Sequence, residues 1–321
     1  MSAYDAVVDH VSALVQAGAL PTAVIGVASS DGIQLLEARG RTGPRAARTG
    51  DHYRLFSITK PLVGLVAARE LERGTLTLDT PLTEALPGFG AHRDDVVRLR
   101  HLASHTSGIT EPELDDARPL REALVSAGRD TEAGTLRRYS SLAFEGVAAL
   151  IEHASGSTWE SGLDRLNADL GTQFTLDEAA DPPPVLGLGE FDLAGFAAQH
   201  HPGAGVIARA EDLLHVAVSL LRGDASVVGP ETLHLMRQPL TAGIPVHDPL
   251  PQDAGDEYGF TWKLPGWGAD DAVFGHAGWS GTEFWINPTA GLAWTLMTNR
   301  PERPGFEVAV LDRMIRRATA G

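Results

Sequence analysis

The stretch Leu55-Phe56-Ser57-Ile58-Thr59-Lys60-Pro61-Leu62-Val63-Gly64 joins a strand-like lead-in to an apolar helix that runs on to Leu71, and it sets a lysine three residues after a serine. The 321-residue chain has two lysines, so arginine carries nearly all its positive charge. Arginine holds its proton at any ordinary pH. A lysine that is buried or set near other cations can release one and act as a base. A serine at a helix start also points toward free N–H groups and the positive end of the helix dipole. The S-x-x-K spacing therefore reads as a serine nucleophile, able to form an acyl-enzyme, with a lysine to activate it. A capping serine followed by a lysine in the first helical turn would look the same, and this segment alone does not separate the two.

Outward from this stretch, Val7, Val8, Val11, Leu14 and Val15 fall at helical spacing over residues 5–18. Residues 22–28 and 33–38 are β-like runs on either side of Asp31-Gly32, a hairpin pattern. Gly74 stands where a helix over 62–71 would end. The middle of the chain predicts helices over 95–104, 115–127, 142–154, 158–169, 210–222 and 230–237. A loop is expected at Asp181-Pro182-Pro183-Pro184 and another over 238–256. Beyond 256, residues 258–264, 272–279, 282–286 and 292–298 are rich in aromatic and β-branched side chains, and 304–318 reads as a final helix. Asn287-Pro288-Thr289-Ala290-Gly291 is the turn between the last two strands. Strands at both ends and helices between them give an α+β fold, an α/β sandwich. One antiparallel sheet is built from N- and C-terminal strands and flanked by the terminal helices, with an all-helical domain inserted. The expected boundaries are 1–76 with 238–321 for the sheet domain and 77–237 for the insert, with the active site between them.

Bulk properties narrow the function. Hydrophobic residues make up 43% and charged residues 21%, a globular balance. A formal net charge of −16 argues against binding nucleic acid or an anionic membrane through a basic face. The absence of cysteine excludes disulfides, thiolate catalysis and Cys-ligated zinc. Met1 to Ala6 has no signal-peptide pattern and no apolar run is long enough to span a bilayer, so a cytoplasmic protein without a membrane span is expected.

Four further segments carry polar groups that could do chemistry. Tyr139, in Arg137-Arg138-Tyr139-Ser140-Ser141, precedes an apolar helix; it reads as a packed tyrosine before a serine cap or as a phenol that shuttles a proton. His276-Ala277-Gly278-Trp279-Ser280-Gly281 lies among the C-terminal strands, where small residues expose backbone N–H groups or permit close packing. His101 and His105 have metal-ligand spacing, but no third ligand is evident and no metal site is assigned. His200-His201, before Pro202-Gly203, reads as a loop.

Taken together, these segments resemble the serine β-lactamase and penicillin-binding superfamily, in particular class C β-lactamases, D-alanyl-D-alanine carboxypeptidases and β-lactamase-like esterases. Ser57-Ile58-Thr59-Lys60 matches the S-x-x-K motif, and Arg98-Leu99-Arg100-His101-Leu102-Ala103-Ser104-His105-Thr106-Ser107-Gly108-Ile109 resembles the group's "LLTHTSGL" run. Tyr139-Ser140-Ser141 falls where the superfamily has Y-x-N. Residues 203–213 resemble a segment ending in "S-T-A-x-D-L", and His276-Ala277-Gly278 matches the H-x-G form of the third motif. The resemblance implies that Ser57 is acylated and that Lys60 and Tyr139 move its proton. It implies further that the Ser57 and Trp279 backbone N–H groups form an oxyanion hole, that Ser141, His276 and Gly278 meet the substrate, and that no metal or cofactor takes part. Ser141 departs from the usual asparagine, which helps hold the amide of a β-lactam or peptide, and His276 replaces a lysine that would meet a substrate carboxylate. Both changes favour small esters with neutral acyl groups over amides. The expected function is thus a serine hydrolase working through an acyl-enzyme, a carboxylesterase or an acyltransferase. The alternatives are a β-lactamase or D-amino-acid peptidase, and a catalytically silent binding module.

Overall fold

The computed structural model describes residues 3–247, 255–267 and 272–319. Its helices are α1 (Asp5–Gln16), α2 (Thr59–Arg73), α3 (Leu99–Ala103), α4 (Leu120–Val125), α5 (Ala143–Ser155), α6 (Trp159–Leu170), α7 (Leu193–Ala198), α8 (Ala210–Arg222), α9 (Pro230–Met236) and α10 (Val308–Thr319). Its strands are β1 (Thr22–Ser29), β2 (Gly32–Thr42), β3 (Arg45–Ala46), β4 (Tyr53–Arg54), β5 (Ile207–Ala208), β6 (Glu257–Tyr258), β7 (Lys263–Leu264), β8 (Phe274–Ala277), β9 (Glu283–Asn287) and β10 (Leu292–Met297). Eight strands form one sheet in the order β3-β2-β1-β10-β9-β8-β7-β6, and every pairing is antiparallel. The N-terminal hairpin meets the C-terminal strands where β1 pairs with β10, from Val24↔Met297 to Ser29↔Leu292.

Strand alternation sends Ala23, Ile25 and Val27 to one face, where they pack with Val7, Val11 and Leu14 of α1 and Leu311 and Ile315 of α10. The other face carries Ala28 against Leu214 and Val218 of α8. Gly26 permits that approach, because a Cβ there would lie 2.6 Å from Leu214 Cδ1. Helix α8 was grouped with the helical insert on sequence; in the fold it covers the sheet, against β1, β2 and β10. Helix α2 continues the packing outward onto α5 and α6, within one apolar core that includes Val24, Leu62, Val66, Val147 and Leu163.

Most expected elements form, with α8 spanning the expected residues and Gly74 capping α2 in the left-handed region. The continuous strand expected over 258–264 does not form. Thr261 has φ +64° and Gly259 packs on the Met236 carbonyl, where a Cβ would sit 2.2 Å from the oxygen, so the run folds into the β6–β7 hairpin. Sequence reading also missed α7 and the short β4–β5 ladder. The ladder pairs Tyr53 with Ala208, too few residues to show a period. Part of the loop expected over 238–256, residues 248–254, lies outside the described residues.

Candidate active site

The turn that carries Ser57 is held from several sides. Leu55 N donates to Val206 O (2.9 Å), and Thr59 Oγ1 accepts from Val206 N (3.0 Å). Phe56 adopts φ +44°, a strained conformation for a bulky side chain. Its buried ring pins it there, stacked on Phe196 at 5.7 Å and edge-on to Trp279 at 5.4 Å. Phe56–Ile58 is a 3-10 turn that runs directly into α2 and presents Ser57 at the mouth of a cleft.

Lys60, one turn on, is fully buried. Its Nζ lies 3.2 Å from Ser57 Oγ, 3.1 Å from Ser141 Oγ and 2.9 Å from the Gly203 carbonyl oxygen, and 4.6 Å from the centroid of the Tyr139 ring. Burial pushes its pKa down to about 7, opposed by the negative charge of Glu111. A neutral amine has two N–H donors and one lone pair. The donors suit Ser141 Oγ and Gly203 O, and the lone pair is then left for the Ser57 hydroxyl. Gly203 has to be glycine to bring its carbonyl here, since a Cβ would sit 2.8 Å from Ser141 O. The loop around it is built on buried His201, whose Nδ1 accepts from Gly203 N (2.9 Å). Sequence reading took His200-His201 for a loop, which it is, but missed that this loop floors the site.

Tyr139 sits on a platform made by the 98–109 run. His105, itself at φ +62°, stacks on the phenol ring at 4.2 Å, accepts from Ser140 N through Nδ1 (3.1 Å), and receives Arg138 N at its carbonyl (2.9 Å). His105 thus supports Tyr139. The Tyr139 hydroxyl is buried and near Ser57, without a well-formed hydrogen bond to it. Burial pushes its pKa well above the ordinary value, with Ser57 acting in the opposite direction. Glu111, unremarked on sequence, receives Ser141 N (2.6 Å) and Leu142 N (3.1 Å) on Oε1 and the Ser140 hydroxyl on Oε2.

The third wall is the end of β8. A Cβ on Gly278 would lie 2.1 Å from Leu55 O, so the absence of a side chain lets β8 close onto the Ser57 turn. The Gly278 N–H donates to Thr282 O (2.8 Å), while the N–H of Trp279 has no acceptor among the described residues. The Trp279 indole is 42% exposed and meets Phe191 edge-on at 5.1 Å, at the rim. His276 is buried 6.2 Å from Tyr139, centroid to centroid, with Nδ1 against Ala277 O (2.7 Å). Burial, helped by the charge of Lys60, pushes its pKa down to about 3, so the ring is neutral at any working pH.

The cleft has a volume of about 550 Å³ and is lined by Ser57, Tyr139, Tyr258, His276, Trp279 and, from β7, Lys263. Both lysines of the chain therefore stand at this site. Lys263 pairs with buried Asp256 (2.7 Å), and Arg303, also lining the cleft, pairs with Glu283 (2.7 Å). The structure thus brings Ser57, Lys60, Tyr139, His276, Gly278 and Trp279 together. It turns the Ser141 hydroxyl onto Lys60, because the short side chain reaches the amine and stops there.

An antiparallel sheet packed on helices, with the serine and lysine of an S-x-x-K turn facing a tyrosine across a cleft, defines the penicillin-binding and β-lactamase class of fold. The chain belongs to the Beta-lactamase family, whose model matches residues 7–318. It is 33% identical to esterase EstB of Burkholderia gladioli over a 151-residue alignment that covers 40% of this chain and 38% of the esterase's length. It is 26% identical to penicillin-binding protein 4 of Amycolatopsis lactamdurans over 294 residues, covering 79% of this chain and 74% of that protein. Among solved structures, EstCE1, described as a hydrolase with promiscuous acyltransferase activity, superposes with a TM-score of 0.77 over 99% of each chain at 21% identity. Among the described residues, no helix is long and apolar enough to cross a membrane.

Proposed function

We propose that this protein is a serine hydrolase of small esters, a carboxylesterase able to pass its acyl group to an alcohol as well as to water. The observation that carries this reading is the desolvated Lys60 amine beside Ser57. With a pKa near 7 it is the base, whereas Tyr139, pushed the other way, stays a phenol and relays protons. Ser57 Oγ attacks the ester carbonyl carbon while its proton passes to Lys60 Nζ. The carbonyl oxygen, now negative, is received by the Ser57 and Trp279 N–H groups. The carbon–oxygen bond to the alcohol breaks, and the leaving alkoxide takes the proton through Tyr139. Water, or a second alcohol, then gives its proton to the same pair and attacks the acyl-enzyme, which frees Ser57.

Neutral His276 and the ion pairs of Lys263 and Arg303 leave no unpaired cation among the described residues that line the cleft. Ser141, engaged with Lys60, offers no side-chain amide to an acylamino group. Both features favour neutral acyl groups. The esterase and acyltransferase descriptions of EstB and EstCE1 agree with this reading.

The test is a chain-length series of p-nitrophenyl esters, with nitrocefin and a D-Ala-D-Ala peptide in parallel, on wild type and Ser57→Ala. Turnover of short esters that drops about 10³-fold or more in Ser57→Ala is expected. Comparable turnover of nitrocefin or the peptide would favour a β-lactamase or peptidase. Failure of a fluorophosphonate to label Ser57 would point to a silent binding module.

A further inference from the structure

We infer that Glu111 is a positioning residue for this site: its carboxylate holds the Tyr139-Ser140-Ser141 segment against Lys60 and sets a negative charge behind that segment. The inference rests on the hydrolase reading above. Three donors converge on this carboxylate, and they are consecutive in the chain: the Ser140 hydroxyl, Ser141 N and Leu142 N. An ionised carboxylate accepts all three on its two oxygens; burial raises the Glu111 pKa, and these three donors and the Lys60 charge act in the opposite direction, toward the ionised form. Two of them are N–H groups at the start of α5, a position where an anion is favoured. The middle residue then places its own hydroxyl 3.1 Å from Lys60 Nζ. Glu111 therefore reaches the base through one residue, by geometry and by charge together.

Among the described residues the histidines and the tyrosine packed around Lys60 are neutral, and the buried Arg137 cation acts on His105. His105 from the end of α3, His201 from the loop before β5 and His276 from β8 are all held well below their ordinary pKa by burial, and Tyr139 is held above its own. Lys263 of β7 acts on Tyr139 and His276 and is paired with Asp256. Burial lowers the pKa of Lys60 and Glu111 raises it. Removing the negative charge while keeping the shape must therefore lower it further.

The experiment exploits the two-lysine composition. Protein labelled with 13C at lysine Cε gives two resonances, from Lys60 and Lys263, and the Lys60 signal is assigned by its loss in Lys60→Met. Its titration midpoint is read in wild type and Glu111→Gln, alongside the pH dependence of kcat/KM on a p-nitrophenyl ester. Glutamine keeps an acceptor for the two N–H groups, so a purely structural role would change the level of activity and leave both midpoints in place. The expected result is a Lys60 midpoint, and an acid limb of the rate profile, displaced toward lower pH by up to about one unit. A midpoint unchanged or raised in Glu111→Gln overturns the inference. If Glu111→Gln does not fold, Glu111→Asp, which withdraws the charge by one methylene, is read in the same way: a lowered midpoint supports the inference and an unchanged or raised one overturns it. The hydrolase reading fails separately, if wild type shows no Ser57-dependent ester turnover.

Discussion

Replacing Lys60 by methionine tests the neutral-base reading without using activity at all. Methionine keeps an unbranched stem of similar length and removes the amine. In the folded protein Lys60 has a pKa of about 7, against 10.5 for an unburied lysine. The difference corresponds to (10.5 − 7) × 1.36, or about 5 kcal/mol, by which burial of the charged form destabilises the folded state. The folded pKa lies below the unfolded one, so between 7 and 10.5 the unfolded chain binds the extra proton, and wild-type stability rises with pH through that window. The destabilisation is complete below about pH 7 and gone above 10.5. Methionine escapes it but leaves the Gly203 carbonyl without its donor, which costs about 1–3 kcal/mol. Lys60→Met should therefore be inactive, yet more stable than wild type by roughly 2–4 kcal/mol at pH 6–7, from the difference of those two estimates. The advantage should shrink steadily and reverse by about pH 10. Urea denaturation of both proteins at unit pH steps from 6 to 10 reads this directly. A wild-type-minus-variant difference that does not change with pH would show that the Lys60 pKa is unshifted, and the base mechanism would fall with it.

Other consequences follow from the same geometry. Ester kcat/KM should fall on acidification below about pH 7 as Lys60 takes up a proton, and Lys60→Arg, which keeps the charge, should be nearly inactive; a near-normal rate in that variant would refute the base role. His201 and His276 both have folded pKa values of about 3 against 6.5 unfolded, so each contributes stability that is present above 6.5 and lost as pH falls toward 3. At pH 5 each has lost (6.5 − 5) × 1.36, about 2 kcal/mol, and a urea midpoint equal at pH 7 and 5 would contradict this. Gly278→Ala would place a methyl 2.1 Å from Leu55 O, which should cost on the order of 3 kcal/mol and most of the activity; normal kinetics and melting temperature would count against the close packing of β8 on the Ser57 turn. Ser141→Asn should reach past Lys60 toward the cleft and raise nitrocefin turnover relative to ester turnover, and an unchanged ratio would remove Ser141 from the account of specificity.

Much of the site was legible because chemistry leaves marks on local sequence. A lysine three residues from a serine, in a chain with two lysines, is visible without a structure, and so are a tyrosine at a helix start and a glycine beside a histidine. The helices α2, α5, α6 and α8 were legible because each repeats an apolar face over three or more turns. The break between β6 and β7 was not, because Thr261 reads as a good strand residue and its left-handed conformation is imposed by neighbours: its N–H donates to Ala103 O. Glu111 carried no signal either, since a lone acidic residue in a polar loop looks like solvated surface until the fold turns it onto the start of α5.

The sequence by itself determined which groups can do chemistry here: one serine with one lysine within a helical turn, a tyrosine, and no thiol. It also determined the sheet-and-helix order, because strand and helix periodicities are local properties. Only the tertiary structure decided what those groups become. The Lys60 amine is held near neutrality because residues far away in sequence, Phe144, Ser141 and Gly203, surround it, and that desolvation lowers its pKa. His276 stays neutral, Lys263 meets Asp256, and the cleft loses the net charge that its residue types alone would suggest. Burial and pairing are properties of the assembled chain, and they set the protonation states on which the proposed reaction depends.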